Sequence, residues 1–552
     1  MTGAPAKPRR RLRASPLGLY LGGLICALTF TPSLIPRPWE AQGALAGLGF
    51  ALGYGGGVLI ARLWAWLELP VASDRRGRPL FLALCAITAV QLGYHLWQAA
   101  EWQDSTRLLM GMAPLEDAHL VKLVGLGALV ALGLLGLGWA VSAGIGFAAR
   151  FPLRYARRRW VAALGALVFI AALAIAVNDT LLSRVITLID EIQAAADTRD
   201  PPGARPPTET TRSSGPGSLT PWDALGSAGK RFVHEGPRAA DITALTGRPA
   251  KAPIRVYVGL RAADGAEAQA RLALAELRRA GAFDRSVLVI ATPTGTGWLD
   301  DNGIAPVEYL HDGDTAVAGV QYSYLASPQS LILEPGRAQA SAAAVFEVIH
   351  DHWKSLPKET RPALYLFGLS LGAFGSESSP MMFSFISDPF QGAVWAGPTF
   401  RNPLWRRIIA DRDAGSPAWQ PVFEGGRLAR VLTPPHGFNV EDPEVGPGWG
   451  PIRIAYVAYP SDAIVHFEED MWFRRPDWAS RPRGADVSEA LTWRPVVTFF
   501  QVALDMLLSV NAPPGHGHNY AAADYIDAWA AVSRPDAPEE EVARIKHAMS
   551  PR

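Results

Sequence analysis

Residues 361–379 read R-P-A-L-Y-L-F-G-L-S-L-G-A-F-G-S-E-S-S, and this stretch decides the fold of everything around it. Residues 363–367 form an apolar run of strand character. The run leads straight into Gly368-Leu369-Ser370-Leu371-Gly372, and small residues follow. A serine with glycine two places to either side, after a strand and before a helix, is the setting of a nucleophile elbow. The turn is strained, so the neighbours at that spacing carry no Cβ that would clash. It lifts Ser370 Oγ clear of the sheet. It also aims the Leu371 N–H and the positive end of the next helix at the place where an oxyanion would form. The chain holds 53 glycines in 552 residues, so the pentapeptide alone would say little; the strand ahead of it gives it meaning.

A serine nucleophile needs an acid and a base. A strand over 452–459 ends in Pro460-Ser461-Asp462, which places Asp462 in a loop past a late strand and after the serine. An acid there fixes the tautomer of a histidine and stabilises its imidazolium, although Pro-Ser-Asp also suits a plain turn. Asp442, Asp470 and Asp486 are the next acids in the same order. The run P-P-G-H-G-H-N-Y over 513–520 then precedes a helix over 521–532. It completes the order Ser…Asp…His, with His518 at the helix start as the first choice of base and His516 as the second. An H-x-H pair also fits a metal. No cysteine or acidic cluster accompanies it, so no metal and no cofactor are expected.

The second oxyanion donor is expected after an early strand. The strand over 285–291 leads into T-P-T-G-T-G-W (292–298), where Thr294 and Gly295 are the expected donors. That loop lacks the G-K-[ST] of a phosphate cradle. Tyr322 and Tyr324 fit a pocket wall and a strand core equally well. Strands over 254–260, 285–291, 363–367, 392–396 and 452–459 alternate with helices over 266–280 and 338–356. Such alternation predicts an α/β domain with a mostly parallel sheet and helices on both faces.

The N-terminal third differs in kind. Mean hydropathy over the whole chain is +0.10, and apolar runs at 17–35, 44–67, 80–100, 120–149 and 160–182 concentrate it. Each is near or above the roughly 20 residues that a bilayer-crossing helix needs, so an all-α bundle of about five transmembrane helices is expected over 17–196. A basic N-terminus (1–16) precedes it. A linker rich in Pro, Ser, Thr and Gly (197–221) follows, and a catalytic domain over 222–552 ends the chain. Basic residues gather at the N-terminus, at Arg75, Arg76 and Arg78, and between 150 and 159. By the positive-inside rule those segments are cytoplasmic, which puts the chain after Leu182 outside. Net charge is +1, which gives no electrostatic case for nucleic acid. The two cysteines, Cys26 and Cys85, lie in apolar runs and imply no disulfide framework.

Laid side by side, these segments resemble the bacterial membrane-anchored α/β-hydrolases, which join a multi-span N-terminal region to an extracytoplasmic hydrolase domain. The resemblance is carried by W-D-A-L-G-S-A-G-K-R-F-V (222–233), P-I-R-V-Y-V-G-L (253–260), T-P-T-G-T-G-W (292–298), Q-Y-S-Y-L (321–325), G-L-S-L-G (368–372), Y-P-S-D-A-I-V (459–465) and G-H-G-H-N-Y (515–520). It covers nearly the whole chain. It implies an α/β-hydrolase fold and a serine hydrolase with Ser370, Asp462 and one of His516 and His518. The expected activity is ester cleavage through an acyl-enzyme, on a lipid or acylated substrate of the cell envelope beside the bilayer. An acyltransferase with the same residues and a catalytically silent binding module are the rival expectations. The expected location is the inner (plasma) membrane, with the N-terminus cytoplasmic.

Overall fold

The computed structural model describes residues 15–70, 74–153, 191–327, 329–330, 334–379, 388–440 and 448–550. The chain divides into two compact units. The larger comprises Asp179–Glu468, Pro476–Val487 and Met506–Arg552. It holds an eight-stranded sheet, with β1 Ile254–Val258, β2 Val287–Thr292, β3 Thr315–Val320, β4 Ala363–Leu369, β5 Gly392–Ala396, β6 Ala429–Thr433, β7 Gly437–Phe438 and β8 Arg453–Val457. The spatial order is β1-β3-β2-β4-β5-β8-β6-β7. All neighbours are parallel except β6 and β7.

Alternation along each strand sends side chains to two separate cores. Leu364 and Leu366 of β4 join one core with Ala270, Ala273 and Leu277 of helix Ala266–Ala280 and Phe346, Ile349 and Trp353 of helix Pro335–Ser355. Tyr365 and Phe367 join the other with Ile304 and Val307 of helix Asp301–Leu310 and Tyr525, Ile526 and Trp529 of helix Ala522–Ser533. Strands buried on both faces read as continuous apolar runs, which is why β1, β2, β4, β5 and β8 stand out in the sequence. The strands β3, β6 and β7 do not. In β3 the run T-A-V-A-G-V has few bulky residues, yet it lies between β1 and β2.

The 197–221 stretch, expected to be a tether, is packed against the sheet. Ser213 N–H donates to Arg255 O at 3.0 Å and Arg255 N–H to Thr211 O at 3.0 Å, so the stretch covers the β1 edge. The buried Arg212 guanidinium donates to the carbonyls of Val233 (2.7 Å), Gly236 (2.9 Å) and Pro237 (2.8 Å). Hydrogen bonds do here what apolar side chains would do elsewhere. Beside it the fully buried Arg255 grips Glu308 through two bonds of 2.8 and 2.7 Å, with Asp301 at 2.7 Å.

The second unit comprises Met1–Asn178, Glu469–Arg475 and Ser488–Asp505, so two stretches from the C-terminal third belong to it. Helices Trp39–Trp66, Gly77–Leu109 and Leu120–Ile145 are long and apolar enough to cross a membrane. The run expected as the first span contains a helix of only 13 residues, Pro16–Leu28. That is about 20 Å of rise, short of a crossing. Three prolines, Pro32, Pro36 and Pro38, break the run after it. The expected fifth span, the basic loop ahead of it and most of the basic N-terminus lie outside the described residues. Small residues bring helices Pro16–Leu28 and Trp39–Trp66 close: a Cβ on Gly53 would stand 2.3 Å from Leu21 O. Arg37 Nε donates to Asp505 Oδ1 at 2.9 Å, with both side chains fully buried. Asp505 also accepts from Ser33 Oγ and, at 3.1 Å, from Leu34 N–H.

Removing one partner of a buried ion pair leaves the other charge uncompensated. Glu308→Ala is therefore expected to destabilise the sheet domain by on the order of 3 kcal/mol, read as a lower thermal unfolding midpoint of the purified full-length protein in detergent. Glu308→Gln, which keeps acceptors for Arg255, should fall between the two.

Candidate active site

Strand β4 lies between β2 and β5, inside the sheet, and Ser370 follows its last residue. The serine has φ 58° and ψ −122°, a conformation that L-residues avoid unless their surroundings enforce it. Three contacts enforce it. Ser370 N–H donates to Ala396 O, at the end of β5, at 2.9 Å. A Cβ on Gly368 would stand 2.5 Å from the backbone of Gly372. A Cβ on Gly372 would stand 2.2 Å from Thr292 O at the end of β2. The two glycines of the motif are thus required by close backbone approach, as the strained turn demands. Helix Leu371–Ser378 starts directly after the serine. As its first residue, Leu371 has no acceptor for its N–H within the helix.

The loop after β2 does not offer the donors expected of it. Thr294 N–H donates to Trp298 O at 2.9 Å and Gly295 N–H to Ser327 Oγ at 3.2 Å, so both are engaged in holding the loop. The tight turn closes on itself through Thr294 and Gly297, and Ser327 takes up the Gly295 amide, as buried backbone groups must be satisfied. Tyr322 stands in an apolar cluster with Leu371, Ala338 and Phe374, and its buried hydroxyl has no partner among the described residues.

Asp462 is fully buried and caps the short helix Ala463–His466, with Oδ1 accepting Ile464 N–H at 2.9 Å. Its Oδ2 accepts from His518 Nδ1 at 2.6 Å and from Tyr520 OH at 2.7 Å. A proton on Nδ1 leaves the lone pair of the neutral ring on Nε2. His518 Nε2 is buried and has no hydrogen-bond partner among the described residues. The ring lies against Gly397, the residue after β5, where a Cβ would stand 2.5 Å from His518 Cε1. Ser370 and His518 therefore meet the same end of β5, one through Ala396 O and the other at Gly397. Tyr520 stacks on Tyr459, ring centroids 4.4 Å apart, which fixes the second donor to Asp462.

The two histidines of the H-G-H run separate cleanly. His518 takes Asp462, and His516 Nδ1 stands 3.1 Å from Asp486 Oδ2. Asp470 pairs with Arg474 at 3.5 Å, and Asp442 lies outside the described residues. Gly397 and Tyr520 escaped the reading of the sequence as site residues. Tyr520 had a signal, its place in H-G-H-N-Y; Gly397, in A-G-P, had none. Asp300 stands at the start of helix Asp301–Leu310. It is buried, and burial pushes its carboxyl up to about 7, against the pull of the Asn302 N–H it accepts.

A serine elbow at the carboxyl end of a central parallel strand, with a His–Asp pair brought in from later loops, defines a site of the α/β-hydrolase kind. A family model described as the alpha/beta-hydrolase family matches residues 254–545, and one described as that family's N-terminus matches residues 30–237. The chain belongs to the alpha/beta-hydrolase family. No curated relative and no solved structure matches it.

The raised Asp300 carboxyl makes a signed prediction. The folded chain holds this proton up to about pH 7, whereas the unfolded chain releases it near its ordinary value of 3.8. Stability is thus full below that ordinary value and falls as pH rises toward 7. Asp300→Asn, which keeps an acceptor for Asn302 N–H, should raise the unfolding midpoint at pH 8. The gain, bounded by about 1.4 kcal/mol per pKa unit, should vanish at pH 4.

Proposed function

We propose that the protein is an integral membrane serine hydrolase that cleaves an ester through Ser370, His518 and Asp462. The observation that carries the reading is the His518–Asp462 bond of 2.6 Å, with an unengaged Nε2 beside the β5 end that holds Ser370. In this reading Ser370 Oγ attacks the ester carbonyl carbon while His518 Nε2 takes its proton. The oxyanion forms at the Leu371 N–H and the positive end of helix Leu371–Ser378. The Tyr322 cluster walls the pocket. As the tetrahedral intermediate collapses, the C–O bond to the alcohol breaks and His518 returns the proton to the leaving oxygen. Water then attacks the acyl-serine with His518 again as base, freeing the acid and restoring Ser370. Asp462 stays ionised, holds the ring orientation and stabilises the imidazolium.

Three apolar helices of membrane length support integration in a bilayer. Placement beside a bilayer favours lipid or acylated envelope substrates. The basic segments favour a cytoplasmic N-terminus and an extracytoplasmic catalytic domain in the inner membrane.

The test is labelling of the full-length protein in intact cells by a membrane-impermeant fluorophosphonate. Labelling is expected in the wild type and should be abolished in Ser370→Ala. With a small ester such as p-nitrophenyl butyrate, Ser370→Ala and His518→Ala should each lower kcat by about 10³–10⁶-fold, and Asp462→Asn by about 10³–10⁴-fold. Labelling that persists in Ser370→Ala would sink the assignment. Labelling only after the inner membrane is broken would keep the enzyme and reverse the topology.

A further inference from the structure

The loops that carry Asp462 and His518 are joined by a second set of hydrogen bonds, one residue away from the first. Ser461, next to Asp462, donates its Oγ–H to Asp486 Oδ2 at 2.5 Å. The same Asp486 Oδ2 lies 3.1 Å from His516 Nδ1, two residues before His518. Gly517, between the two histidines, donates its N–H to Ser461 Oγ at 2.8 Å and closes the ring. Asp486 is 6% exposed, and its other oxygen, Oδ1, is buried with no partner among the described residues. A buried carboxylate is costly unless it is fully bonded. This one comes from a third segment of the chain, and among the described residues its hydrogen bonds go to the two loops that present the acid and the base.

We infer that Asp486, held by His516 and Ser461, is a positioning residue that sets the register of the His518 loop against Asp462. The inference rests on the proposed roles of His518 and Asp462. Small displacements of a catalytic group cost large factors in rate, and nothing covalent fixes these two loops to one another. Loosening the loop displaces His518 from Asp462 and slows each active site. Lost stability alone would lower the amount of active protein and leave the rate constant per titrated site where it is. Besides Asp462 and Tyr520, Asp300 faces His518, and besides Asp486, Asp524 faces His516; Asp462, Tyr520, Asp300 and Asp524 stay unchanged in the variants that follow.

The experiment measures the rate constant for phosphonylation of Ser370 by a fluorophosphonate, per titrated active site, from pH 5 to 9. The full-length protein is used in detergent. Asp486→Ala should slow the reaction by about 10–100-fold. Asp486→Asn, whose amide oxygen can still accept from Ser461 and His516, should restore the rate to within about fivefold. His516→Ala, a partly exposed position that leaves the Ser461 bond in place, should slow it by about 3–10-fold and serves as the deciding variant if Asp486→Ala does not fold. Rates within twofold of wild type in the variants that fold would overturn the inference and leave the hydrolase reading standing. A wild type that fails to react would overturn the hydrolase reading, and this inference with it.

Discussion

Ser370 is held in a backbone conformation that an L-residue adopts at a cost of about 1–3 kcal/mol. The rest of the sheet domain is arranged so that it has no alternative. The β4 strand behind it is pinned on both sides, by β2 over Val287–Thr292 and by β5 over Gly392–Ala396. Its side chains alternate into two cores closed by helices. The helix ahead of it cannot retreat, because Gly372 is already against Thr292 O. Strain of this kind is sustained by packing far larger than itself. The site is consequently as deep in the fold as it is near the chemistry.

The carboxylates of the region show how surroundings assign roles to one residue type. Asp462 accepts from three donors, Ile464 N–H, His518 Nδ1 and Tyr520 OH. Asp300, also buried, accepts from Asn302 N–H, and burial prevails over the hydrogen bonding it receives. Asp486 has two donors on a single oxygen. The Tyr520 hydroxyl is pushed well above its ordinary range, by burial first and by Asp462 second, so it remains a neutral donor to the acid. The three aspartates differ here in the number and direction of their hydrogen bonds, with no difference in residue type.

How much of this was legible before the structure depends on whether the signal was local. The elbow was legible, because its glycines and its strand are contiguous and sterically forced. The order Ser370, Asp462, His518 was readable along the chain, with His518 ranked ahead of His516, and the structure sets His518 against Asp462 and His516 against Asp486. The Asp486 contact was not legible, because it comes from some thirty positions upstream, in a featureless sequence context. Thr294 and Gly295 looked available because a glycine-threonine loop usually approaches a ligand; the hydrogen bonds inside the turn are invisible to composition. The 197–221 stretch was misjudged for a related reason. Its composition lacks a core, and its attachment comes from Arg212 and from backbone pairing along β1, neither of which has a periodic signature.

The N-terminal unit shows the same limit on a larger scale. A boundary drawn by hydropathy closes it near residue 196, yet Ser488–Asp505 belongs to it. The reason lies in the proline-broken segment after helix Pro16–Leu28. Prolines leave carbonyls without helical partners, and Thr31 O accepts from Gln501 Nε2 at 2.9 Å. Asp505 then meets Arg37, Ser33 and Leu34 N–H. A buried ion pair is a poor source of net stability, but the loss of either partner is severe. Arg37 and Asp505 therefore act as mutual conditions. Exchanging the N-terminal helices for a foreign anchor would leave Asp505 buried without its cation or would expose the apolar helix Val497–Leu508 that carries it. The unit is thus an integral partner of the C-terminal sequence, and a simple tether would have no need of the Arg37–Asp505 pair.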